Sequence, residues 1–108
     1  VLAPLGATRM LEDPDYNGFT WYGTGPGRPG LAITRPYDGQ PASAGNGTMV
    51  ALACGERALV DAVHAKAMEL GAADEGAPGL RPGEQVFYGA YFRDPDGNKL
   101  CAFATGPA

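Results

Sequence analysis

The sequence has no cluster of basic residues and no long apolar run. Lysine and arginine number 8 against 12 aspartates and glutamates, which gives a formal net charge of −4. This balance argues against nucleic acid and against an anionic membrane surface as partners. No apolar stretch approaches the roughly 20 residues that a membrane-spanning helix needs.

Cysteine and histidine are also scarce. The two cysteines, Cys54 and Cys101, have no metal-type spacing between them. Free thiols are favoured over a disulfide, which predicts a protein of the reducing cytoplasm. The only histidine, His64, lies within a helical pattern. We expect it to be solvated or half-buried on the outer side of a sheet, and not to act as a catalytic base.

Glycine and proline, at 17 and 10 residues, are abundant and separate short apolar runs. With 44% hydrophobic and 19% charged residues, the composition is that of a folded globular domain. Strands are predicted at 7–11, 19–22, 31–34 and 48–54, with a short one within 71–75. The glycine- and proline-rich segments 23–30 and 76–83 are predicted to be loops.

One helix is predicted from Glu56 to Leu70. Its apolar stripe would consist of four residues at helical spacing, Leu59, Val63, Ala67 and Leu70. An acidic residue at its start and a glycine just after its end suit the helix dipole and a C-cap.

The stretch 86–104 predicts a β-hairpin of two apolar, aromatic-rich strands. In the Arg-Asp-Pro-Asp-Gly-Asn turn at 93–98, Pro95 presets φ and Gly97 accepts a positive φ. Asp94 and Asp96 are interpreted as turn carboxylates that accept hydrogen bonds from nearby N–H groups. The Asp-Pro-Asp-Gly-Asn string and the strand after it resemble the closing hairpin of the vicinal oxygen chelate superfamily. That group contains glyoxalase I, extradiol dioxygenases and the bleomycin- and fosfomycin-resistance proteins.

The order of the predicted elements supports the same resemblance. Residues 48–108 read strand, helix, strand, strand, strand, and the residues before 37 read as the same unit without its opening strand and most of its helix. The resemblance implies an α+β fold of two βαβββ modules, whose curved, cup-like mixed sheet carries helices on its outer face. We expect residues 1–108 to form one domain, with a first module at 1–36, a connector at 37–47 and a second module at 48–108. Because the sequence begins at Val1 without methionine, we expect the opening of the first module to be missing from it.

The positions that hold metal ligands in enzymes of this superfamily carry other residues in this sequence. By resemblance, three of the four ligand positions correspond to Ala32, Met49 and Cys101, and the fourth would lie on the missing strand. These side chains offer a divalent ion no imidazole and no carboxylate, so we expect no metal and no other cofactor. Met49 and Cys101 could instead hold Cu(I), and Cys101 could be a nucleophile. Soft side chains that fill the floor of the cup are the favoured interpretation.

Strand alternation predicts which residues line the cup. The expected pairs across the hairpin are Arg93 with Lys99, Tyr91 with Cys101, and Gly89 with Phe103. A slip of one residue would exchange the two faces of the sheet. Lys99 is expected to point away from the cup, and Arg81 to lie either at its mouth, where it could pair with an anionic ligand, or in solvent. The candidate ligand-binding residues are Trp21, Ala32, Met49, Arg81, Phe87, Tyr91, Cys101 and Phe103.

The favoured function is binding of a small, partly apolar molecule in the cup without a metal, by a protein that forms a homodimer, as the resemblance implies. The first alternative is a metal-dependent lyase, isomerase or dioxygenase of the same superfamily. The second is a non-catalytic, dimeric interaction module whose cup is filled by its own side chains. The sequence leaves open whether the protein is an enzyme.

Overall fold

The computed structural model describes residues 1–83 and 85–106, which form a mixed α+β fold. The strands are β1 (Thr8–Asp13), β2 (Phe19–Gly23), β3 (Gly30–Ile33), β4 (Val50–Ala53), β5 (Ala73–Leu80), β6 (Phe87–Arg93) and β7 (Lys99–Thr105), with a short 3-10 helix at Ala3–Leu5 and an α-helix, α1, at Arg57–Glu69. One sheet has three strands in the order β1-β2-β3, and the other has four in the order β4-β7-β6-β5. The predicted α+β class is confirmed, and the second sheet with its helix has the predicted order of a βαβββ module.

The described residues fall into two compact units, one of residues 2–42 and one that begins at Ser43 and also includes Val1. The proposed modules at 1–36 and 48–108, and their membership of a single domain, stay predictions. In the first unit, β2 pairs antiparallel with both β1 and β3. Trp21 pairs with Leu11 on one side and with Ala32 on the other. A Cβ atom at Gly30 would collide with the Trp21 ring, so the glycine makes room for the indole.

In the second unit, the hairpin of β6 and β7 has the predicted register. Its pairs include Arg93 with Lys99, Tyr91 with Cys101, and Gly89 with Phe103. The carboxylate of Asp94 organises the turn, because it accepts hydrogen bonds from the backbone N–H groups of Asp96 at 3.0 Å and Asn98 at 2.8 Å, and from Asn98 Nδ2 at 2.9 Å. Gly97 has φ of 90°, a conformation that glycine adopts without strain.

Helix α1 buries a different stripe from the predicted one. Its buried residues are Val60, Val63, His64 and Ala67. These positions follow the spacing i, i+3, i+4, i+7, which centres the stripe on one face. Leu70 is 62% exposed, so the predicted stripe is wrong at its C-terminal end. Leu70 follows the last helical residue, Glu69, as the C-cap, so it does not continue the buried stripe of the helix.

The core of the second unit lies between α1 and one face of the sheet. Phe92 is its largest fully buried side chain. Tyr88, on the same face as Phe92, donates a hydrogen bond from its hydroxyl to Asp61 Oδ1 on the helix at 2.6 Å. Ala90, Ala102 and Ala104 are buried between the same elements. Their small side chains let the helix lie close to the sheet, and the prediction that Ala102 and Ala104 pack under the helix is confirmed.

Strand β5 is longer than the sequence predicted. It continues through Gly76 and Pro78 to Leu80, so the predicted loop at 76–83 is wrong over its first five residues. β5 lies at the edge of the sheet, where a strand tolerates proline because one side of its backbone pairs with no other strand. Its pairing with β6 shifts register twice, between Asp74 and Gly76 and between Gly76 and Gly79, as expected of bulges at a sheet edge.

Candidate functional site

The candidate site is the face of the four-stranded sheet that points away from α1. Because Tyr88 bonds to the helix, alternation along β6 and β7 places the odd-numbered residues on the opposite side. We call this side the site face. It consists of Phe87, Gly89, Tyr91 and Arg93 on β6 and of Lys99, Cys101 and Phe103 on β7.

Two aromatic rings form one end of the site face. Phe87 and Phe103 are stacked, with centroids 5.6 Å apart and planes 4° apart. Gly89, which pairs with Phe103, lies beneath the Phe87 ring, since a Cβ atom at this glycine would lie 2.8 Å from Phe87 Cε1. Both rings are only half-buried, so they offer apolar surface to a ligand.

Tyr91 and Cys101 occupy the centre of the site face. Burial raises the pKa of the Cys101 thiol, and this effect outweighs the opposite effects of Tyr91, Arg81 and Lys99. Burial also raises the pKa of Tyr91. Both groups are therefore protonated at neutral pH, and Cys101 lacks the thiolate character of a nucleophile. Cys54 and Cys101 are both buried, and both are free thiols, the state that the sequence favoured.

Two cations lie beside the Tyr91 ring. The guanidinium carbon of Arg81 is 4.9 Å from the ring centroid and Lys99 Nζ is 5.4 Å from it. Arg81 Nη2 also donates to the carbonyl oxygens of Ala77, at 2.7 Å, and Gly89. The expectation that Lys99 points away from the cup is wrong, because Lys99 and Cys101 are two residues apart on one strand and share a face.

The remaining candidate residues lie at the edge of this sheet or in the other unit. Met49 directly precedes β4 and is 47% exposed. It is two residues before Ala51, which pairs with Cys101. Trp21 and Ala32 pair with each other in the three-stranded sheet of the first unit. The structure therefore groups Arg81, Phe87, Tyr91, Cys101 and Phe103, with Met49 near the start of the adjacent strand.

His64 is buried, and the expectation of a solvated or half-buried position is wrong. Its Nε2 lies 3.1 Å from Asp74 Oδ1, and Asp74 also accepts a hydrogen bond from the backbone N–H of Gly76 at 3.0 Å. The hydrogen bond from the Gly76 N–H makes the largest contribution to lowering the pKa of Asp74, and the hydrogen bond with His64 lowers this pKa further. This pair joins the helix to the edge strand on the side opposite the site face, so His64 is not a base for Cys101.

The donor set of the site does not suit a divalent metal ion. By the resemblance, the ligand positions hold Ala32, Met49 and Cys101, which supply one thioether and one protonated thiol but no imidazole or carboxylate. Within residues 1–83 and 85–106, no group of three or more His, Cys, Asp or Glu side chains is placed to hold a metal ion. Across the same residues, no helix has the length and apolar character needed to cross a membrane.

Sequence reasoning missed three features of the site region. It did not foresee Lys99 beside Tyr91, although the alternation that pairs Tyr91 with Cys101 also places Lys99 there. It did not foresee the packing of Phe87 over Gly89, which depends on a side-chain rotamer. It also missed the pair of His64 and Asp74, since the bulge that orients Asp74 has no reliable sequence signal.

Comparison with known proteins shows the family of the chain. No family model and no curated protein matches it. Among solved structures, a glyoxalase/bleomycin resistance protein from Albidiferax ferrireducens is 36% identical, with a TM-score of 0.77, and the match covers 94% of this chain and 78% of that one. A lactoylglutathione lyase from Agrobacterium tumefaciens is 21% identical with a TM-score of 0.61, over 94% and 78% of the two chains. An antibiotic binding protein from Streptomyces is 22% identical with a TM-score of 0.60, over 99% and 80%.

The likenesses to the lyase and to the antibiotic binding protein show the fold alone. The glyoxalase/bleomycin resistance protein from Albidiferax ferrireducens is close enough in sequence and coverage to show the family. The chain belongs to the glyoxalase/bleomycin resistance protein/dioxygenase superfamily.

Proposed function

We propose that this protein binds a small, partly apolar molecule on the site face without a metal ion. The observation that carries the proposal is the stacked pair of Phe87 and Phe103, half-buried beside Tyr91 and the buried Cys101. Ligand sites in proteins combine apolar and aromatic walls with a few polar groups that orient the ligand. Tyr91 and the two cations beside it supply such polar groups.

The donor set supports binding over metal-dependent catalysis. A lyase, isomerase or dioxygenase of this superfamily would hold its metal with side chains that Ala32, Met49 and Cys101 replace. The raised pKa of Cys101 also disfavours covalent catalysis by this thiol. The antibiotic binding protein with the same fold offers a precedent for binding as the activity of this architecture.

The proposed ligand contacts of the second unit are Met49, Arg81, Phe87, Tyr91, Cys101 and Phe103. Trp21 and Ala32, which lie in the first unit, stay predicted ligand-binding residues. We further propose that the protein is a cytoplasmic homodimer, as its resemblance to the superfamily implies. Light scattering coupled to size-exclusion chromatography would measure the mass in solution. A mass of twice the chain supports the dimer, and a mass of one chain contradicts it.

A thermal-shift screen with small aromatic and aliphatic metabolites tests the proposed function. A compound that binds only the folded state raises the melting temperature with increasing concentration. We expect such a compound to bind the untreated and the EDTA-treated protein alike, and to bind a Phe103→Leu variant more weakly because the stacked aromatic surface is lost. Stoichiometric Zn, Ni, Mn or Fe in the purified protein, with turnover of a substrate that EDTA abolishes, would favour the metal-dependent enzyme instead.

A further inference from the structure

Positive charge is concentrated on the site face of a chain that is acidic as a whole. The formal net charge is −4, yet Arg81 and Lys99 both lie within 5.4 Å of the centroid of the Tyr91 ring. The same two cations act on the adjacent Cys101 thiol in the direction that favours negative charge. The centre of the site face is therefore a region of positive potential.

Among the residues that the structure describes, no carboxylate forms a salt bridge with either cation. Arg81 uses Nη2 for two backbone carbonyls, while its Nε is buried with no acceptor among the described residues. Buried donors are nearly always paired in proteins, yet the Arg81 guanidinium has at least one N–H donor that lacks a partner among the described residues.

Three carboxylates of the second unit, those of Asp61, Asp74 and Glu75, pair with other groups. Glu75 accepts a hydrogen bond from Arg93, which leaves that third cation of the site face paired. Asp74 bonds to His64 and Asp61 to Tyr88, both on the helix side of the sheet. On the site face, the positive charges without a paired carboxylate among the described residues are therefore those of Arg81 and Lys99.

The uncompensated charge lies close to the aromatic surface. Lys99, Cys101 and Phe103 are successive positions on the site face of β7, and successive positions on one face of a strand are roughly 7 Å apart. Lys99 Nζ reaches to within 5.4 Å of the centroid of the Tyr91 ring, and Tyr91 pairs with Cys101, one such step from Phe103. A planar molecule of two fused rings with an acidic substituent is therefore long enough to contact the Phe87–Phe103 pair at one end and the cations at the other.

We propose that the ligand of the site face is a planar aromatic acid, whose rings contact Phe87 and Phe103 and whose carboxylate is held by Lys99 and Arg81. This inference rests on the proposed function and narrows it to a class of ligand. The carboxylate of the ligand supplies the negative charge that no described carboxylate of the protein brings to Arg81 or Lys99, and charge-assisted hydrogen bonds are stronger than neutral ones. The planar rings match the parallel arrangement of the two phenylalanines.

Isothermal titration calorimetry of the full chain with 2-naphthoate and with 2-naphthamide tests this inference. The two probes share their rings and differ in charge. At low salt we expect the acid to bind about tenfold more tightly than the amide, because two cations face its carboxylate. The preference should fall as salt is added, since part of the site face is exposed to solvent and screening weakens the attraction.

Substitutions at two lysines test whether the preference for 2-naphthoate over 2-naphthamide arises at the site face. Lys99→Met removes the charge but keeps most of the aliphatic side chain, and should reduce the preference about threefold, the scale of one partly exposed ion pair. Lys99→Arg should retain it. Lys66→Met is the matched control, because it makes the same change in net charge on α1, where Lys66 pairs with Glu69 at 3.0 Å on the other side of the sheet, and it should leave the preference unchanged.

The results that would overturn the acidic ligand differ from those that would overturn the proposed function. Equal affinity for acid and amide would overturn the acidic ligand while leaving small-molecule binding intact. A preference that Lys66→Met reduces as much as Lys99→Met would overturn the assignment to the site face. If neither probe binds, neutral hits in the thermal-shift screen would overturn only the acidic ligand, whereas an empty screen would overturn the proposed function as well.

Discussion

Phe87 stacks on Phe103 across β6 and β7 because the position between them on the site face is a glycine. Gly89 pairs directly with Phe103, and its missing side chain leaves the space that the Phe87 ring occupies. The aromatic surface of the proposed binding site therefore depends on a residue that has no side chain. This dependence leads to the first prediction.

Gly89→Ala should destabilise the protein by about 1–3 kcal/mol, the usual cost of overpacking. The added methyl group would lie 2.8 Å from Phe87 Cε1, so the ring must move and the stack with Phe103 must open. Urea unfolding measures the stability, and near-UV circular dichroism reports the aromatic packing. Gly79→Ala is the matched control, because Gly79 pairs with Gly89 and a Cβ atom there meets no atom within 4 Å. Equal losses in the two variants would contradict the proposed role of Gly89.

The second prediction concerns which helix residues form the core. Val60→Ala should lower the free energy of unfolding by about 2 kcal/mol, since its side chain is fully buried and its truncation leaves a cavity. Leu70→Ala should change it by less than about 0.5 kcal/mol, as for other exposed positions. Urea unfolding of both variants distinguishes the observed stripe from the one predicted by the sequence. A larger loss in Leu70→Ala would restore the predicted stripe.

The third prediction is a pH dependence that originates at Asp74. Its pKa is lowered in the folded state by the Gly76 N–H and by His64. A carboxylate whose folded-state pKa is depressed stabilises the fold above its unfolded-state pKa of about 3.9, and the stabilisation is lost as the pH falls through the folded-state pKa. Wild type should therefore have a higher urea midpoint than Asp74→Asn at pH 6, and the gap should close below about pH 4.

Asp96→Asn provides the charge-matched control for this pH series. The Asp96 side chain accepts no hydrogen bond from the described residues, so its substitution should shift the urea midpoint little at any pH. A difference in urea midpoint between wild type and Asp74→Asn that stays constant from pH 7 to pH 3 would show that the charge of Asp74 does not stabilise the fold.

The fourth prediction tests the turn that carries the family resemblance. Asp94→Ala removes the acceptor of three hydrogen bonds and should cost about 1–3 kcal/mol in stability. Asp96→Ala, in the same turn, should cost less than about 0.5 kcal/mol. Thermal and urea unfolding of the two variants measure the difference. Similar costs would mean that the turn is stabilised mainly by Pro95 and Gly97.

The closing hairpin and the fold were predictable from sequence because turn chemistry and strand alternation are local. The Asp-Pro-Asp-Gly-Asn turn and the register that opposes Tyr91 to Cys101 follow from residues close in the chain. The extent of β5 was not predictable, since Gly76 and Pro78 disfavour a strand locally and only the edge position in the sheet accommodates them. The buried state of His64 depends in the same way on Asp74, a partner 10 residues away.

The most direct test of the central proposal is the affinity of one ligand from the thermal-shift screen before and after removal of divalent metal ions. Isothermal titration calorimetry on the untreated and the EDTA-treated full chain provides it, with Phe103→Leu as the variant that alters the site face. Metal-free binding predicts the same Kd for the two preparations and a weaker Kd for the variant. Binding that disappears with EDTA, returns on addition of Zn²⁺ or Mn²⁺ and is insensitive to Phe103→Leu would contradict it.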